Sequence, residues 1–461
     1  MQVTGARSTV VAIVLLGATA TLVLNLPGHL SYDSVVQLAQ GRAGIYNSWH
    51  PPIMAWMLGL ADAAVRGTAL FVVFDVLLLF GALAWLFALA GRQPGRWAAP
   101  ALALAIILTP QWLIYPGIVW KDVMFAGCSL MGFAALAQAG ASWPRRRARL
   151  ALIALAVLLM AMAALARQNG AVVPLFGAIA LGLLAARSAH GRAGLRGVVY
   201  GFAAFAGAVM IMAGATLALN MRSDGEPAQL YELEDLQVFD LSGAVKLDPS
   251  LPLGRLRAAN QRLEQLIRTD GADAWDPRRI DPLAALKALH VEIRRTPPSA
   301  IAGQWRDLIL GRPDLYLKVR STDFAWVVLT PDIHECLPFF VGVDGPQPAM
   351  NKLGLVRRMS ERDSLLKGYG QTLTSTPVFS HALFGLLGIF VLTGLVLRRR
   401  PPDVVLAAMI LSALAFSASF FIVSVACDYR YLYFLDVSAM AGALYLVASA
   451  LGSGTMISRR R

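Results

Sequence analysis

The stretch with the clearest chemical potential follows the first apolar segment and holds a carboxylate, a histidine and two adjacent prolines. Asp33 stands in Ser31-Tyr32-Asp33-Ser34, and His50 precedes Pro51-Pro52. A carboxylate at a water–lipid boundary can act as a general base or orient an acceptor hydroxyl. The structural alternative is an N-cap at Asp33 for a helix over residues 34–40. His50 could bind a phosphate or tune Asp33, or it could be a polar anchor before a helix that Pro-Pro starts well.

A second group of charged residues lies at other predicted membrane boundaries. Lys121 and Asp122 precede one apolar segment, Arg167 follows another, and Arg430 lies between the last two. Lys and Arg at such positions can hold a phosphate or diphosphate head group. The alternatives are mutual neutralisation of Lys121 and Asp122, and arginines that snorkel to lipid head groups. Because all four residues are predicted on the Asp33 side, we expect a substrate-binding or phosphate-binding group of Tyr32, Lys121, Asp122, Arg167 and Arg430.

The elements that must position these residues are membrane-spanning helices. The chain has 461 residues, of which 57% are hydrophobic and only 15% charged. Its apolar blocks are long enough to cross about 30 Å of hydrocarbon. The sequence therefore predicts an all-α polytopic membrane protein with about ten transmembrane helices and an uncleaved first span. The predicted spans cover residues 10–26, 69–90, 98–114, 122–141, 150–166, 171–186, 197–219, 377–397, 404–425 and 433–451.

The distribution of charge predicts the orientation and argues against binding to nucleic acid. The net charge is +13, but residues 221–370 hold 20 basic and 21 acidic residues, so the excess lies around the apolar segments. The basic-rich connections all fall on one face, which the positive-inside rule makes cytoplasmic. Both termini are then cytoplasmic, and the Asp33 loop lies outside. These inner basic positions are Arg7, Arg92, Arg96, residues 145–149, Arg187, Arg192, Arg196, residues 398–400 and residues 459–461.

Three parts of the chain follow from this topology. Residues 1–219 form an N-terminal transmembrane module of about seven spans, with a first outer loop over 27–68 and an interface helix over 53–65. Residues 220–376 form a small, mostly helical outer (periplasmic) domain, with helices predicted over 282–295, 298–310 and 315–329. Residues 377–461 form a C-terminal transmembrane module of about three spans.

The remaining acidic residues and the cysteines give weaker indications of function than the two groups above. Only seven acids lie outside the outer domain, and Asp75 and Asp436 among them lie inside predicted spans. Either could be a proton or ion site in a transporter. Their spacing forms no recognisable relay, so structural pairing is favoured, with Arg430 as one candidate partner. Three distant cysteines without a CxxC motif predict no disulfide framework. His334-Glu335-Cys336 could join His381 or His290 in a metal site, although such a triplet is commonly incidental. We therefore predict no metal-binding residues and no certain cofactor, and leave a divalent metal open.

The first outer loop resembles that of membrane glycosyltransferases of the GT-C superfamily. The resemblance rests on Asp33 followed by His50-Pro51-Pro52-Ile53-Met54-Ala55-Trp56-Met57-Leu58, and is strongest for the protein mannosyltransferase and aminoarabinose transferase branch. The turns Trp120-Lys121-Asp122 and Arg167-Gln168-Asn169-Gly170 are similar to those of bacterial relatives. Ser34 stands where many relatives carry a second acid.

This resemblance implies an enzyme that moves a sugar from a polyprenyl-phosphate donor to a glycan, lipid or protein acceptor at the outer face. Asp33 would be the base, His50 would assist, and Lys121, Arg167 or Arg430 would hold the leaving phosphate. The alternatives are a flippase or transporter of lipid-linked saccharides, and a polysaccharide polymerase or ligase. The Arg/Ala-rich composition and the absence of Asn-x-Ser/Thr favour a bacterial inner membrane. The sugar, the acceptor and the oligomeric state are not specified.

Overall fold

The computed structural model describes residues 2–46, 51–90, 97–188, 193–221 and 228–450, and these are almost entirely helical. Nine helices within these ranges are long and apolar enough to cross a membrane, and a bent pair makes ten if it is counted as one crossing. The prediction of an all-α polytopic protein with about ten transmembrane helices is therefore confirmed.

The N-terminal part combines long apolar helices with a few short helices between them. In chain order they are α1 (Gln2–Asn25), α2 (Tyr32–Ala43), α3 (Pro52–Ala64), α4 (Ala69–Ala88), α5 (Ala98–Ile107), α6 (Pro110–Leu113), α7 (Lys121–Ala141), α8 (Arg146–Ala166), α9 (Val172–Arg187) and α10 (Ala193–Asn220).

The third predicted span is broken. We expected one helix over 98–114, but the chain bends by 69° between α5 and α6. Pro110 explains the break, because proline has no backbone N–H and disfavours helical geometry at the preceding Thr109. The bent segment packs on the end of α1, where Asn25 Nδ2 donates to the Leu113 carbonyl at 2.8 Å. It then carries the chain to Trp120, whose Nε1 donates to Ser31 Oγ at 2.8 Å.

The first outer loop contains two packed helices. Ser31 is the N-cap of α2, and Asp33 lies in the first turn of the helix. The alternative in which Asp33 itself caps the helix is therefore wrong. Helix α3 begins at Pro52, as the Pro-Pro step predicts. The two helices approach so closely that a Cβ at Gly41 would lie 2.1 Å from the Ala55 carbonyl oxygen.

The part of the chain predicted to lie outside the membrane, residues 220–376, is called the outer region below. Its described residues contain ten α-helices and a hydrophobic core of their own. Helices α17 (Pro298–Gly311) and α18 (Pro313–Leu329) match the predicted ranges closely. The helix predicted over 282–295 is split into α15 (Asp281–Ala284) and α16 (Lys287–Arg295). Twenty buried apolar residues between Val238 and Val319 form the separate core. The helices are α11 (Ala228–Leu247), α12 (Gly254–Ala259), α13 (Gln261–Leu266), α14 (Ala272–Ala274), α15 (Asp281–Ala284), α16 (Lys287–Arg295), α17 (Pro298–Gly311), α18 (Pro313–Leu329), α19 (Gln347–Leu353) and α20 (Glu361–Leu373).

The last part of the outer region, which we call the return segment, packs against the membrane helices. Phe339, Val343 and Leu366 belong to the same hydrophobic core as those helices. Leu30 is held in this return segment from both sides, because its N–H donates to the Gly342 carbonyl at 2.9 Å and its carbonyl accepts from Asp344 N at 2.9 Å. The segment therefore fixes the chain just before Asp33.

A disulfide joins the outer region to the connection before the last described helix. The last three helices are α21 (His381–Arg398), α22 (Pro401–Val423) and α23 (Tyr433–Ala450). Cys427, between α22 and α23, is bonded to Cys336, with a Cα–Cα distance of 5.0 Å. The expectation that the cysteines form no disulfides is therefore wrong for this pair. Spacing in the sequence could not reveal it, because 91 residues separate the two positions.

The contact between α2 and α3 yields a stability prediction. Gly41→Ala should lower the melting temperature of the detergent-solubilised protein, because the new methyl overlaps the α3 backbone and overpacking costs about 1–3 kcal/mol. Gly214→Ala in α10 is the matched control, since a Cβ there meets no atom within 4 Å. Equal melting temperatures for the two variants would contradict the packing.

Candidate active site

The centre of the site is the guanidinium of Arg430, which contacts three carboxylates from different parts of the chain. Its Nη2 donates to Asp33 Oδ2 at 2.9 Å. Its Nε donates to Asp428 Oδ2 at 3.0 Å and lies 3.7 Å from Asp122 Oδ2. Arginine keeps its charge at any accessible pH and presents donors in a planar fork, so it can bridge several anions at once.

A second arginine extends this group of ion pairs. Arg167 Nη1 donates to Asp122 Oδ1 at 2.7 Å, so Asp122 interacts with both arginines. The Arg167 guanidinium also lies over the ring of Tyr431, 4.9 Å from its centroid, and Arg430 lies 4.9 Å from the centroid of the Trp120 ring. Aromatic faces attract cations, so these rings hold both guanidinium groups in place.

Local structure brings these residues together at the outer helix ends. Asp33 lies in the first turn of α2, and Asp122 in the first turn of α7. The two turns are joined by Ser34, whose Oγ donates to the Val119 carbonyl at 2.6 Å. Arg167 directly follows α8, and Arg430 lies in the 3₁₀ turn before α23. Negative side chains at the first turns of α2 and α7 also suit the positive ends of the helix dipoles.

The ion pairs are buried on one side and open on the other. The Asp33 and Asp428 side chains are each 25% exposed, whereas that of Asp122 is 3% exposed. Lys121 lies within electrostatic reach of Asp33, Asp122 and both arginines. Three carboxylates and three cations therefore share one region, and their formal charges cancel. The Asp33 and Asp428 side is the more exposed side of this region.

The sequence-predicted residues differ in their placement. Asp33, Asp122, Arg167 and Arg430 form one continuous set of ion pairs, and Lys121 lies close to it. Tyr32 begins α2 and is 64% exposed beside Asp33, so its ring faces the surrounding medium. His50 lies outside the described residues. Their roles in substrate binding and catalysis remain predictions.

Several residues of the site escaped the sequence analysis. Asp428 was one of the seven acids outside the outer region, and its position two residues before Arg430 was a usable signal. Trp120 and Tyr431 carried no comparable signal, because aromatic residues are common at membrane boundaries. They contribute through their packing against the arginines, which only the fold reveals.

The proposed metal triplet is not a metal site. Cys336 is in the disulfide, and Glu335 Oε2 accepts from Arg279 Nη2 at 2.9 Å. In the described parts of the chain, no group of three or more His, Cys, Asp or Glu side chains is arranged to hold a metal ion. Asp33, Asp122 and Asp428 face the guanidinium of Arg430 instead.

The two acids inside the spans do not pair with Arg430 as expected. Asp436 is fully buried and interacts with His381 Nδ1 at 2.9 Å and with the Tyr429 hydroxyl at 2.8 Å. Asp75 is 1% exposed, and neither of its carboxylate oxygens has a hydrogen-bond partner among the described residues. Structural pairing is therefore correct for Asp436, with different partners, and wrong for Asp75.

Comparison with known proteins gives only distant structural similarity. No protein-family model and no curated protein matches the chain. Three solved structures of the oligosaccharyltransferase from Archaeoglobus fulgidus are similar in fold. They are the complex with an inhibitory peptide and a dolichol-phosphate (14% identity, TM-score 0.41, 95% of this chain), the complex with Zn and sulfate (15%, 0.41, 94%), and the form tethered to an acceptor peptide (12%, 0.42, 95%). The chain spans about half the length of these proteins, at 50%, 48% and 49%.

The pairing of Asp122 with Arg167 yields a test by paired substitutions. Arg167→Gln should destabilise the protein by about 3–5 kcal/mol, because it removes one partner of a buried carboxylate. Asp122→Asn/Arg167→Gln should be more stable than Arg167→Gln alone, since the unpaired charge is then absent. Chemical denaturation in detergent measures both. A double variant no more stable than Arg167→Gln would show that the pair contributes little.

A histidine that the sequence analysis missed holds the chain before Asp33. His29 Nδ1 accepts from the Gly342 N–H at 3.1 Å, so Nε2 carries the proton and donates to Asn25 Oδ1 at 3.0 Å. Burial lowers the pKa of His29 to about 4, although the Asp363 carboxylate acts in the opposite direction. The native protein therefore keeps this ring neutral while the unfolded chain protonates it near pH 6.5.

This difference predicts acid sensitivity. As the pH falls from about 6.5 to about 4, only the unfolded state gains the proton, so His29 lowers the free energy of unfolding by about 3 kcal/mol. Thermal unfolding of the wild type and of His29→Gln between pH 4.5 and pH 7.5 measures this effect. The variant should show a shallower fall in melting temperature on acidification. Parallel pH profiles would contradict the neutral, buried ring.

Proposed function

We propose that the chain is a membrane glycosyltransferase of GT-C type, which transfers a sugar from a polyprenyl-phosphate-linked donor to an acceptor hydroxyl at the outer face. The observation that carries this proposal is the Asp33–Arg430 ion pair at 2.9 Å. It joins a candidate base to a candidate phosphate ligand, although 397 residues separate them. Asp122 and Arg167 extend the same group, so acid–base and anion-binding side chains share one surface.

In the proposed reaction, the acceptor oxygen attacks the anomeric carbon of the sugar while the bond from that carbon to the phosphate oxygen breaks. The proton of the acceptor hydroxyl passes to the Asp33 carboxylate, and the polyprenyl phosphate leaves with the electron pair of the broken bond. The configuration at the anomeric carbon is inverted. The ionised carboxylate of Asp33 is the form that can accept this proton.

The cations would act on the leaving phosphate. Negative charge grows on the phosphate oxygens as the glycosidic bond breaks, and positioned guanidinium groups stabilise such charge most where water is partly excluded. Arg430 and Arg167 are held by aromatic rings and carboxylates before any ligand binds. Lys121 would add a third positive charge, and the exposed Tyr32 ring would contact the sugar or acceptor.

The disulfide and the predicted topology support a reaction at the outer face of the membrane. The Cys336–Cys427 disulfide lies on the same side of the spans as Arg430, and disulfides form in oxidising compartments such as the bacterial periplasm. The basic connections predict a cytoplasmic opposite face. We therefore propose a bacterial inner membrane location, with both termini cytoplasmic and the outer region contributing to the acceptor site.

The structure gives the flippase alternative less support. A transport path would need polar groups facing a cavity across the membrane, but Asp75 and Asp436, the two acids predicted within spans, are 1% and 0% exposed. Asp436 is bound to His381 and Tyr429 rather than directed to a channel. Neither carboxylate is therefore placed to line an aqueous path in this conformation.

The test is sugar transfer from a synthetic polyprenyl-phosphate sugar by purified protein in detergent or nanodiscs. Asp33→Asn should lower kcat on the order of 10²–10⁴-fold, the usual contribution of a general base. It should retain donor binding, measured as the rise in melting temperature that the donor causes. Asp270→Asn is the matched control, because Asp270 is an exposed acid of the outer region.

The outcomes separate the candidate functions. Unchanged transfer by Asp33→Asn would remove Asp33 as the base. Absence of transfer by the wild type, together with movement of the lipid-linked saccharide between leaflets of reconstituted vesicles, would establish the flippase instead. Loss of both folding and donor binding in Asp33→Asn would assign the carboxylate a structural role through Arg430.

A further inference from the structure

The turn that carries Arg430 is attached to the outer region over four consecutive residues, 424–427, which we name the clasp segment. The Ser424 carbonyl accepts from Arg320 Nη1 at 2.7 Å. The Val425 side chain packs against the separate core of the outer region. Ala426 forms an antiparallel bridge with Arg279. Cys427 is bonded to Cys336, so each residue of the segment has its own attachment.

The outer side of this attachment is rigid. Arg320, which holds Ser424, is 0% exposed and also pairs with the buried Asp240. Asp240 in turn accepts from Trp305 Nε1 at 2.7 Å. Because Arg320 joins α18 to both α11 and the clasp segment, movement of the clasp segment would break buried charge interactions, which is costly.

The inner side of the clasp segment leads directly into the ion pairs. Asp428 follows Cys427, accepts from Arg430 Nε, and its carbonyl accepts from the Tyr431 N–H at 3.0 Å. The backbone of Cys427 is fixed as well, because its N–H donates to the Arg278 carbonyl at 2.9 Å. Only two residues, Asp428 and Tyr429, therefore separate the fixed Cys427 from Arg430, whose guanidinium contacts Asp33.

We propose that the outer region is a positioning device for Arg430, acting through the clasp segment, with Cys336, Cys427 and Arg320 as positioning residues. This inference rests on the function proposed above. The outer region would set the distance between Arg430 and the donor phosphate without contacting the donor itself. Loss of its covalent attachment would lower the affinity for the donor, because the guanidinium would no longer be held in its binding geometry.

The enzymatic test uses Cys336→Ser/Cys427→Ser, with Cys128→Ala as the matched control. Cys128 is a free, buried cysteine of α7 and has no attachment to the clasp segment. We expect the double serine variant to raise KM for the polyprenyl-phosphate donor about tenfold, within the usual range of coupling between interacting residues. Its kcat at saturating donor should fall as well, because Arg430 also acts on the charge that grows on the leaving phosphate. Cys128→Ala should match the wild type.

The same two serine substitutions made in an Arg430→Lys variant distinguish a positioning role of the disulfide from a general effect on stability. In Arg430→Lys, the planar fork is already absent, so adding the two serines should change KM less than about twofold. A disulfide that only stabilises the fold would cost the same factor in both backgrounds, and this result would overturn the proposal. An unchanged KM in the double serine variant would overturn it as well.

Hydrogen exchange tests the positioning without any transfer assay. Amide exchange over residues 428–432 should accelerate in the double serine variant, while exchange over α2 and α3 stays unchanged. Acceleration together with an inactive wild type would leave the attachment correct and the proposed function wrong. Unchanged exchange over 428–432 would show that the clasp segment does not hold the Arg430 turn, whatever the protein catalyses.

Discussion

A permanently charged guanidinium at a membrane boundary must find anionic partners, and this requirement explains much of the outer half of the structure. Arg430 is 11% exposed at its side chain, so leaving it unpaired would be costly. Its three carboxylates come from the start of α2, the start of α7 and the turn before α23. Satisfying one charge therefore fixes the relative positions of three elements that are far apart in the sequence.

The remaining supports act on these same elements. The bend after α5 brings Trp120 to Ser31, which sets the start of α7 against the start of α2. The return segment of the outer region holds Leu30 and His29, which sets the approach to Asp33. Aromatic rings cover the arginines from the sides that the carboxylates leave open. Hydrogen bonds position the backbone, and the ion pairs then connect side chains that are already close.

The sequence predicted those features that depend on a pattern along the chain, such as the length of apolar segments and the positions of charged residues. Apolar length predicted the spans, and the rarity of charge outside the outer region singled out Asp33, Asp122, Arg167 and Arg430. Partners could not be predicted, because Asp33 and Arg430 are 397 residues apart, and nothing in their spacing indicates contact. The Cys336–Cys427 disulfide was missed for the same reason. The bend at Thr109-Pro110 was foreseeable from the proline, but apolar continuity through Ile114 concealed it.

The division of the outer region into two parts was also invisible in the composition. Residues between Val238 and Val319 bury their apolar side chains among themselves, whereas Val327, Phe339 and Met350 join the core of the membrane helices. Only the tertiary contacts show that the first stretch packs on itself and that the second packs on the membrane helices. The second stretch connects the outer region to the first loop.

The separation of Asp33 from Arg430 also has a consequence for biogenesis. Domains generally form from the N-terminus during synthesis, so α2 and α7 are inserted long before Arg430 leaves the ribosome. During that interval Asp33 and Asp122 lack their shared cation, and the outer region cannot yet be attached at Cys427. The complete charge arrangement therefore exists only after α22 has crossed the membrane and Arg430 has followed it. The outer region is attached only when the thiols of Cys336 and Cys427 have been oxidised to the disulfide. A nascent or truncated chain that ends before residue 427 would therefore lack both the cation that Asp33 and Asp122 share and the covalent attachment of the outer region.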